Sequence, residues 1–198
     1  MSQSTPSSGR QAAGLSPSRW FWGTVAVGIA TALLLRWWGR SWWCDCGQTD
    51  LWIGDPLGAH CSQHLLDPYS LTHVLHGVLL SGILAWAWPR LDPRPAFVLG
   101  VILESLWELL ENSQFIIDRY RTGTIAQGYV GDSVINSLSD IVCCGAGFLL
   151  ARRLGWRRSA VLFAATELLL LVWIRDNLTL NVLMLAFPLD AIRQWQSG

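Results

Sequence analysis

Lysine is absent from this chain, and charge of either sign is scarce. All fourteen basic residues are arginine, fourteen acidic residues balance them, and the formal net charge is zero. Such a chain has no strong field to attract nucleic acid, which is not expected as a partner. Charged residues make up 14% of the sequence, against roughly a quarter in soluble domains, so an ordinary soluble class is disfavoured. Five cysteines are too few for a disulfide scaffold in a chain of this size. No phosphate-binding glycine loop, serine-nucleophile elbow, His-Glu-x-x-His helix or dinucleotide fingerprint occurs, which removes the common soluble chemistries. There is no internal repeat, and 198 residues suit a single domain.

Apolar residues, by contrast, come in long blocks. Thirteen tryptophans are present, and many stand at block ends: Trp20, Trp22, Trp37, Trp38, Trp42, Trp43, Trp86, Trp88 and Trp156. That placement is the aromatic belt of helices leaving hydrocarbon. The expected fold is all-α, a polytopic membrane helix bundle with about five transmembrane helices. Their spans fall at about 20–38, 70–88, 96–112, 132–151 and 159–174. Residues 1–18, rich in Ser, Pro, Gly and Gln, are expected to form a disordered cytoplasmic tail. The run after it lacks a small-residue cleavage site and reads as an uncleaved signal anchor. Asp67-Pro68 looks like a helix start. Segments 39–70 and 113–131 read as loops. The stretch Leu178–Phe187 falls short of the ~20 residues a crossing takes, so a short interfacial or re-entrant helix is expected there.

The two tight reversals, 89–95 and 152–158, carry Arg90, Arg94, Arg152, Arg153, Arg157 and Arg158 against Asp92 alone. The positive-inside rule puts both in the cytoplasm, with the N-terminus, of a cell inner-membrane protein. Arg36, Arg40, Arg119 and Arg121 then lie outside, against the rule.

Ionisable residues inside these spans are costly and must face inward, each acid costing about 2.5–3.5 kcal/mol at a helix centre. His73 and His76 share one face of the second span. Glu104, Glu108 and Glu111 form one stripe on the third, and Asp132, Asn136 and Asp140 another on the fourth. Antiparallel threading brings these ends together whichever side is outside. His76, Glu108 and Asn136 then lie roughly 5–10 Å below the helix ends, at 1.5 Å rise per residue. Histidines and carboxylates on converging helices suit a divalent metal, with His73 and His76 as ligands, or acid–base catalysis by Glu108 with Glu104 or Glu111, the site being completed by Asp132, Asn136 and Asp140. Blander roles compete with these: Asp67 and Asp132 as helix caps, Asn136 as an interhelical hydrogen-bonder. Glu167 stands alone in mid-span without an evident partner.

Arg175, Asp176, Asn177 and His64 are expected to contact substrate, Arg175 because its planar fork suits phosphate. Cys44, Cys46, His60, Cys61 and His64 share one polar loop. A disulfide from Cys61 to Cys44 or Cys46, a metal site and free thiols all fit that loop.

Several stretches can be read together: Ser62-Gln-His-Leu-Leu-Asp-Pro-Tyr-Ser70, the pair His73 and His76, and Glu104-Ser-Leu-Trp-Glu-Leu-Leu-Glu-Asn-Ser113. Asp118-Arg-Tyr-Arg121, Gly131-Asp-Ser-Val-Ile-Asn-Ser-Leu-Ser-Asp140 and Ile174-Arg-Asp-Asn-Leu-Thr-Leu-Asn181 belong with them. Together they resemble a bacterial inner-membrane family known only as an uncharacterised protein family. The resemblance covers nearly the whole chain after the tail and implies a multi-pass cell-membrane protein; it supplies no activity. The Asp-x-x-x-Asn helix is distantly similar to VanZ-like membrane proteins. The leading functional expectation is a membrane-embedded enzyme acting on a lipid or lipid-linked substrate at the outer leaflet, with membrane lipids around it. The alternatives are a non-catalytic membrane factor that binds through loop 39–70, and a small proton-coupled transporter. Transporters commonly carry internal repeats that are missing here, so the last would need a homo-oligomer.

Overall fold

The computed structural model describes residues 17–198, with side chains from Arg19 onward; the tail expectation for residues 1–18 lies outside these described side chains. Eight helices are present among the described residues. They are α1 (Pro17–Trp37), α2 (Ser70–Ala87), α3 (Pro93–Glu111), α4 (Gln114–Gly123), α5 (Val134–Leu154), α6 (Trp156–Ile174), α7 (Leu178–Ala186) and α8 (Asp190–Gln196). Extended pairing among these residues is limited to one isolated bridge, Trp52 with Leu66. The chain is all-α.

Length and apolarity suit three helices to cross a membrane: Arg19–Trp37, Ser70–Ala87 and Val134–Leu154. α6 and α7 pass together as a fourth, but they are bent by 74° at their junction. The expected count of five is therefore not reached by composition and length. The reason is charge. α3 carries Arg94, Glu104, Glu108 and Glu111, and α6 carries Arg157, Arg158 and Glu167. Glu167 has its partner in the fold. Its carboxylate accepts the Leu178 N–H at 2.9 Å and the Thr179 N–H at 3.1 Å, so it satisfies orphan donors at the start of α7.

α2 and α5 form the central seam. Two glycines set how closely they cross: a Cβ on Gly77 would fall on the Cys144 carbonyl, and one on Gly147 on the Val74 carbonyl. Small residues let helix backbones approach in this way. α1 lies along α3 and α5, with Ala32 and Leu35 packed on Val134, Leu109 and Leu138. At the far end Leu84, Ala96 and Phe148 make a separate apolar cluster with Phe97 and Leu80. The C-terminal ends of α1, α3 and α6 thus meet the N-terminal ends of α2 and α5.

Loop 39–69 closes over that meeting point. The first N–H groups of α5 have no intrahelical partner. Those of Val134 and Ile135 donate to the carbonyls of Ser41 and Trp42, at 2.9 and 3.2 Å, and Ser133 N–H donates to Ser62. The side-chain cap of α5 is Ser133, which accepts from Asn136 N–H, and not Asp132. Asp67 does not cap α2, which begins at Ser70; its carboxylate holds the preceding turn by accepting from Ser62 and Tyr69 N–H. The segment read as loop 113–131 contains α4, capped by Ser113 and burying Ile116, Ile117 and Tyr120. α4 rests on α7 through Arg119, which donates to the Leu185 carbonyl at 2.6 Å and to the Ala186 carbonyl at 3.0 Å. The second C-terminal helix, α8, has no counterpart in the sequence reading.

A polar interior and an apolar exterior result. His73, Glu104, Glu108, Asp132, Asn136 and Asp140 are buried, while Ile83, Leu106, Val142, Val161, Leu168 and Val172 are exposed.

Candidate functional site: a buried histidine and carboxylate cluster

The first two turns of α2 present His73 and His76, three residues apart and edge to face, with ring centroids 5.0 Å apart. Opposite them runs the glutamate stripe of α3. His73 Nδ1 lies 2.6 Å from Glu104 Oε1 and 3.3 Å from Glu108 Oε1, and its Nε2 lies 3.8 Å from Asp140 Oδ2 on α5. His76 Nδ1 is within 3.0 and 3.2 Å of the two Glu104 oxygens. Glu104 is thus shared between two imidazoles, a satisfied buried acid. Glu108 is different. It is fully buried, and neither of its carboxylate oxygens has a hydrogen-bond partner.

Toward the helix ends the acids continue. Glu108, Glu111 and Asp132 each offer an oxygen within 4.8 Å of the others, as do the ligand atoms of His73, Glu108 and Asp140, and those of His73, His76 and Glu104. Asp132 accepts from Tyr129 O–H at 2.9 Å and Asn112 Nδ2 at 2.9 Å, while its own N–H donates to Asn112 Oδ1 at 2.8 Å. Tyr120 O–H donates to Glu111 Oε1 at 2.8 Å and lies 3.0 Å from Asn181 Oδ1. Burial and then the Glu111 carboxylate push the Tyr120 hydroxyl well above its ordinary value of 10. Burial and then Asp132 do the same to Tyr129. Both phenols stay protonated at neutral pH and hold the acids as O–H donors.

Part of this cluster floors a cavity of about 390 Å³, a size at the small end of ligand pockets, while Glu104 and Glu108 lie behind its lining. His73, His76, Glu111, Asp132, Asp140 and Asp176 supply its polar lining. Leu57, Ile125, Val130, Leu178, Val182 and Leu185 supply an apolar wall. No arginine among the described residues lines it. Arg40 gives its guanidinium to the main-chain carbonyls of Val130 and Asn112. Among the described residues the one arginine–carboxylate pair is Arg193 with Asp190, at the surface.

The structure brings together His73, His76, Glu104, Glu108, Glu111, Asp132 and Asp140. Asn136 is buried nearby on α5, with its amide nitrogen unpartnered. Asp176 reaches the cavity from the end of α6 and accepts from Tyr69 O–H and Gln196 Nε2, at 3.2 and 3.1 Å. Arg175 and Asn177 do not line it. Arg175 ends α6 in a left-handed conformation (φ 54°) and donates to the Trp195 carbonyl; Asn177 caps α7. His64 lies in the overlying loop beside Cys46. Sequence reading missed the tyrosines. The chain has three, Tyr69, Tyr120 and Tyr129, and all three line the cavity. Their scarcity in an aromatic-rich chain was the available signal.

Comparison with known proteins bears on all of this. The sequence model of a family described as "Protein of unknown function (DUF2585)" matches residues 34–198. A UPF0314 protein of Novosphingobium aromaticivorans is 46% identical over 197 residues, covering 96% of this chain and 98% of the relative. One from Sphingopyxis alaskensis is 44% identical, covering 93% of this chain and 98% of its own. A third, from Paracoccus denitrificans, is 44% identical with 90% and 92% covered. No solved structure matches.

Proposed function

We propose, for a chain that belongs to the DUF2585 family of unknown function, a membrane-embedded enzyme that uses a divalent cation on the polar head of a lipid or lipid-linked substrate. Glu108 carries the reading. A fully buried carboxylate with neither oxygen hydrogen-bonded and only the His73 imidazole nearby is a costly group unless a proton or cation completes it. Even with both imidazoles protonated, the five clustered carboxylates outnumber them, and uncompensated buried ions cost several kcal/mol each. Imidazole and carboxylate together suit a metal such as manganese or zinc. His73, Glu108 and Asp140 are its ligands in this reading, and His76 and Glu104 hold His73 in position. Glu111, bonded to Tyr120 on the cavity wall, is the general base. A bound cation polarises an ester or phosphoryl oxygen and lowers the pKa of a coordinated water. The apolar wall of α7 receives the first methylenes of the substrate tail.

The same reading makes the chain a multi-pass protein of the cell inner membrane in which α3 and α6 also cross, their charges turned inward. Apolar side chains exposed on α2, α3, α5 and α6 support lipid contact. The arginine-rich reversals point to the cytoplasm and the cavity to the outer leaflet.

The test uses cells lacking the protein, complemented with the wild-type chain or with Glu108→Gln, and mass spectrometry of their extracted lipids. One lipid species accumulates without the protein and is cleared by the wild type alone. Full clearance by Glu108→Gln overturns the proposal. A proton-coupled carrier is the second reading. It is favoured by His73 Nδ1 lying between Glu104 and Glu108, where a proton can pass. Proton flux into liposomes, abolished by Glu108→Gln, would replace the enzyme with the carrier.

A further inference from the structure

A second group of ligand atoms lies outside the helices, and the reading above does not use it. Cys44, Cys46, His60 and His64 each offer an atom within 4.8 Å of the other three. Cys44 Sγ is 3.4 Å from His60 Nδ1, and Cys46 Sγ is 3.7 Å from His64 Nε2. We infer that these four residues form a tetrahedral zinc site that ties the outer loop together above the cavity. With zinc–sulfur bonds of about 2.3 Å and zinc–nitrogen bonds of about 2.05 Å, a tetrahedral sulfur–nitrogen edge is about 3.6 Å. The two observed edges bracket that length. Two thiolates with two imidazoles in tetrahedral array are a zinc donor set.

Tight turns deliver both ligand pairs. Cys44–Gly47 is closed by the Gly47 N–H on the Cys44 carbonyl, with Gly47 at φ 78°. This turn puts two thiols separated by one residue on the same side. The second pair is turned by Ser62, at φ 60°, a conformation disfavoured for a non-glycine residue. Its N–H is held by Asp67 Oδ2 at 2.9 Å, and the His60 and His64 rings lie 5.6 Å apart. All five cysteines are free, and Cys61 stands outside the group.

One contact has to change on binding. The Trp43 indole N–H points at His64 Nδ1 from 3.3 Å, and zinc on Nε2 places a proton on Nδ1. Trp43 is only half-buried and turns aside, giving up one long hydrogen bond for four ligand bonds.

The loop has almost no regular structure, and Leu57, Gly58, Ala59, Cys61, Ser62 and Gln63 from it line the cavity. A metal clip between residues 44–46 and 60–64 therefore holds the outer wall of the pocket. The assignment stands whether or not the helix cluster is an active site.

The test is metal content of the full-length protein purified in detergent after growth with zinc. Comparison is with Cys44→Ser/Cys46→Ser, Cys61→Ser and Glu108→Gln. The double variant is expected to hold one equivalent of zinc less than the wild type, Cys61→Ser the same amount as the wild type, and Glu108→Gln, changed in the helix cluster alone, to keep the thiolate-bound equivalent. Cobalt substitution of the wild type gives a second readout that needs no variant: strong visible bands of tetrahedral cobalt with thiolate ligands. A double variant that holds as much zinc as the wild type, a disulfide among Cys44, Cys46 and Cys61 by non-reducing mass spectrometry, or wild-type protein without zinc or the thiolate–cobalt bands overturns the assignment.

Discussion

The two ligand clusters of this protein are built in opposite ways. One sits on helices. Its donors are oxygens and imidazoles, and its geometry comes from α2, α3 and α5 packing whether or not an ion is bound. The other sits on a loop. Its donors are two sulfurs and two imidazoles, held by turns, one isolated bridge and the hydrogen bonds of Ser41, Trp42 and Ser62 to the start of α5. A cluster borne on helices is assembled by folding before any ligand arrives, which in the proposed reading leaves a bound ion free to serve chemistry. A loop-borne site needs its ligand to hold shape, because metal binding there is coupled to ordering of the chain. The two donor sets also differ in softness, carboxylate oxygens on the helices against thiolates on the loop.

The comparison can be broken most severely at the helix seam. Gly77→Leu drives a side chain into the Cys144 carbonyl, at or beyond the upper end of the ~1–3 kcal/mol typical of overpacking. The expected outcome is loss of monodisperse protein in detergent, read by size-exclusion chromatography. Next in size is the contrast of two glutamates one turn apart. Glu104→Ala takes the nearest carboxylate from both imidazoles, leaving His76 with none and His73 with the longer contacts to Glu108 and Asp140, and costs about 3–5 kcal/mol, the range for a broken buried pair. Glu108→Gln removes a charge that has no hydrogen-bond partner and leaves the melting temperature unchanged or raised while function is lost. Equal destabilisation by the two would put Glu108 among the structural acids. Smaller still is chelation. A zinc chelator should expose residues 39–69 to protease while α2, α3 and α5 stay protected, as mapped by mass spectrometry of fragments. Cleavage spread evenly over loop and helices would remove the distinction between the clusters. The smallest effect is Tyr120→Phe, which deletes the donor to Glu111 and costs about 0.5–1.5 kcal/mol, measured by thermal unfolding.

How much of this was legible depends on where a residue sits. The glutamate stripe and the two histidines could be placed because helical periodicity is local. Spacings of three and four residues put side chains on one face wherever the helix goes. The same logic failed at element ends. Ser133, not Asp132, caps α5, since both residue types cap well and only the path of the chain decides between them. α4 was read as loop, because a ten-residue helix stabilised by contacts with α7 carries little signal of its own. Arg175 looked like a phosphate ligand beside Asp176, yet a left-handed residue at the end of α6 sends the two side chains to different places. In the loop, the pairing of Cys44 with His60 and Cys46 with His64 depends on turns at Gly47 and Ser62. No periodicity encodes it.

Composition and periodicity alone thus determined that the chain is helical, that it has helices apolar enough for lipid, and that acids and imidazoles lie on the inner faces of α2, α3 and α5. Each of those is set by a residue and neighbours within two turns. Tertiary structure alone decided which acid is satisfied and which is left open, that the three tyrosines converge on one cavity, and that Cys44, Cys46, His60 and His64 of loop 39–69 come together. Those facts depend on distances between segments far apart in the chain. Such distances are set by how the segments pack: the glycines where α2 crosses α5 set the helix cluster, and the turns at Gly47 and Ser62 set the loop group.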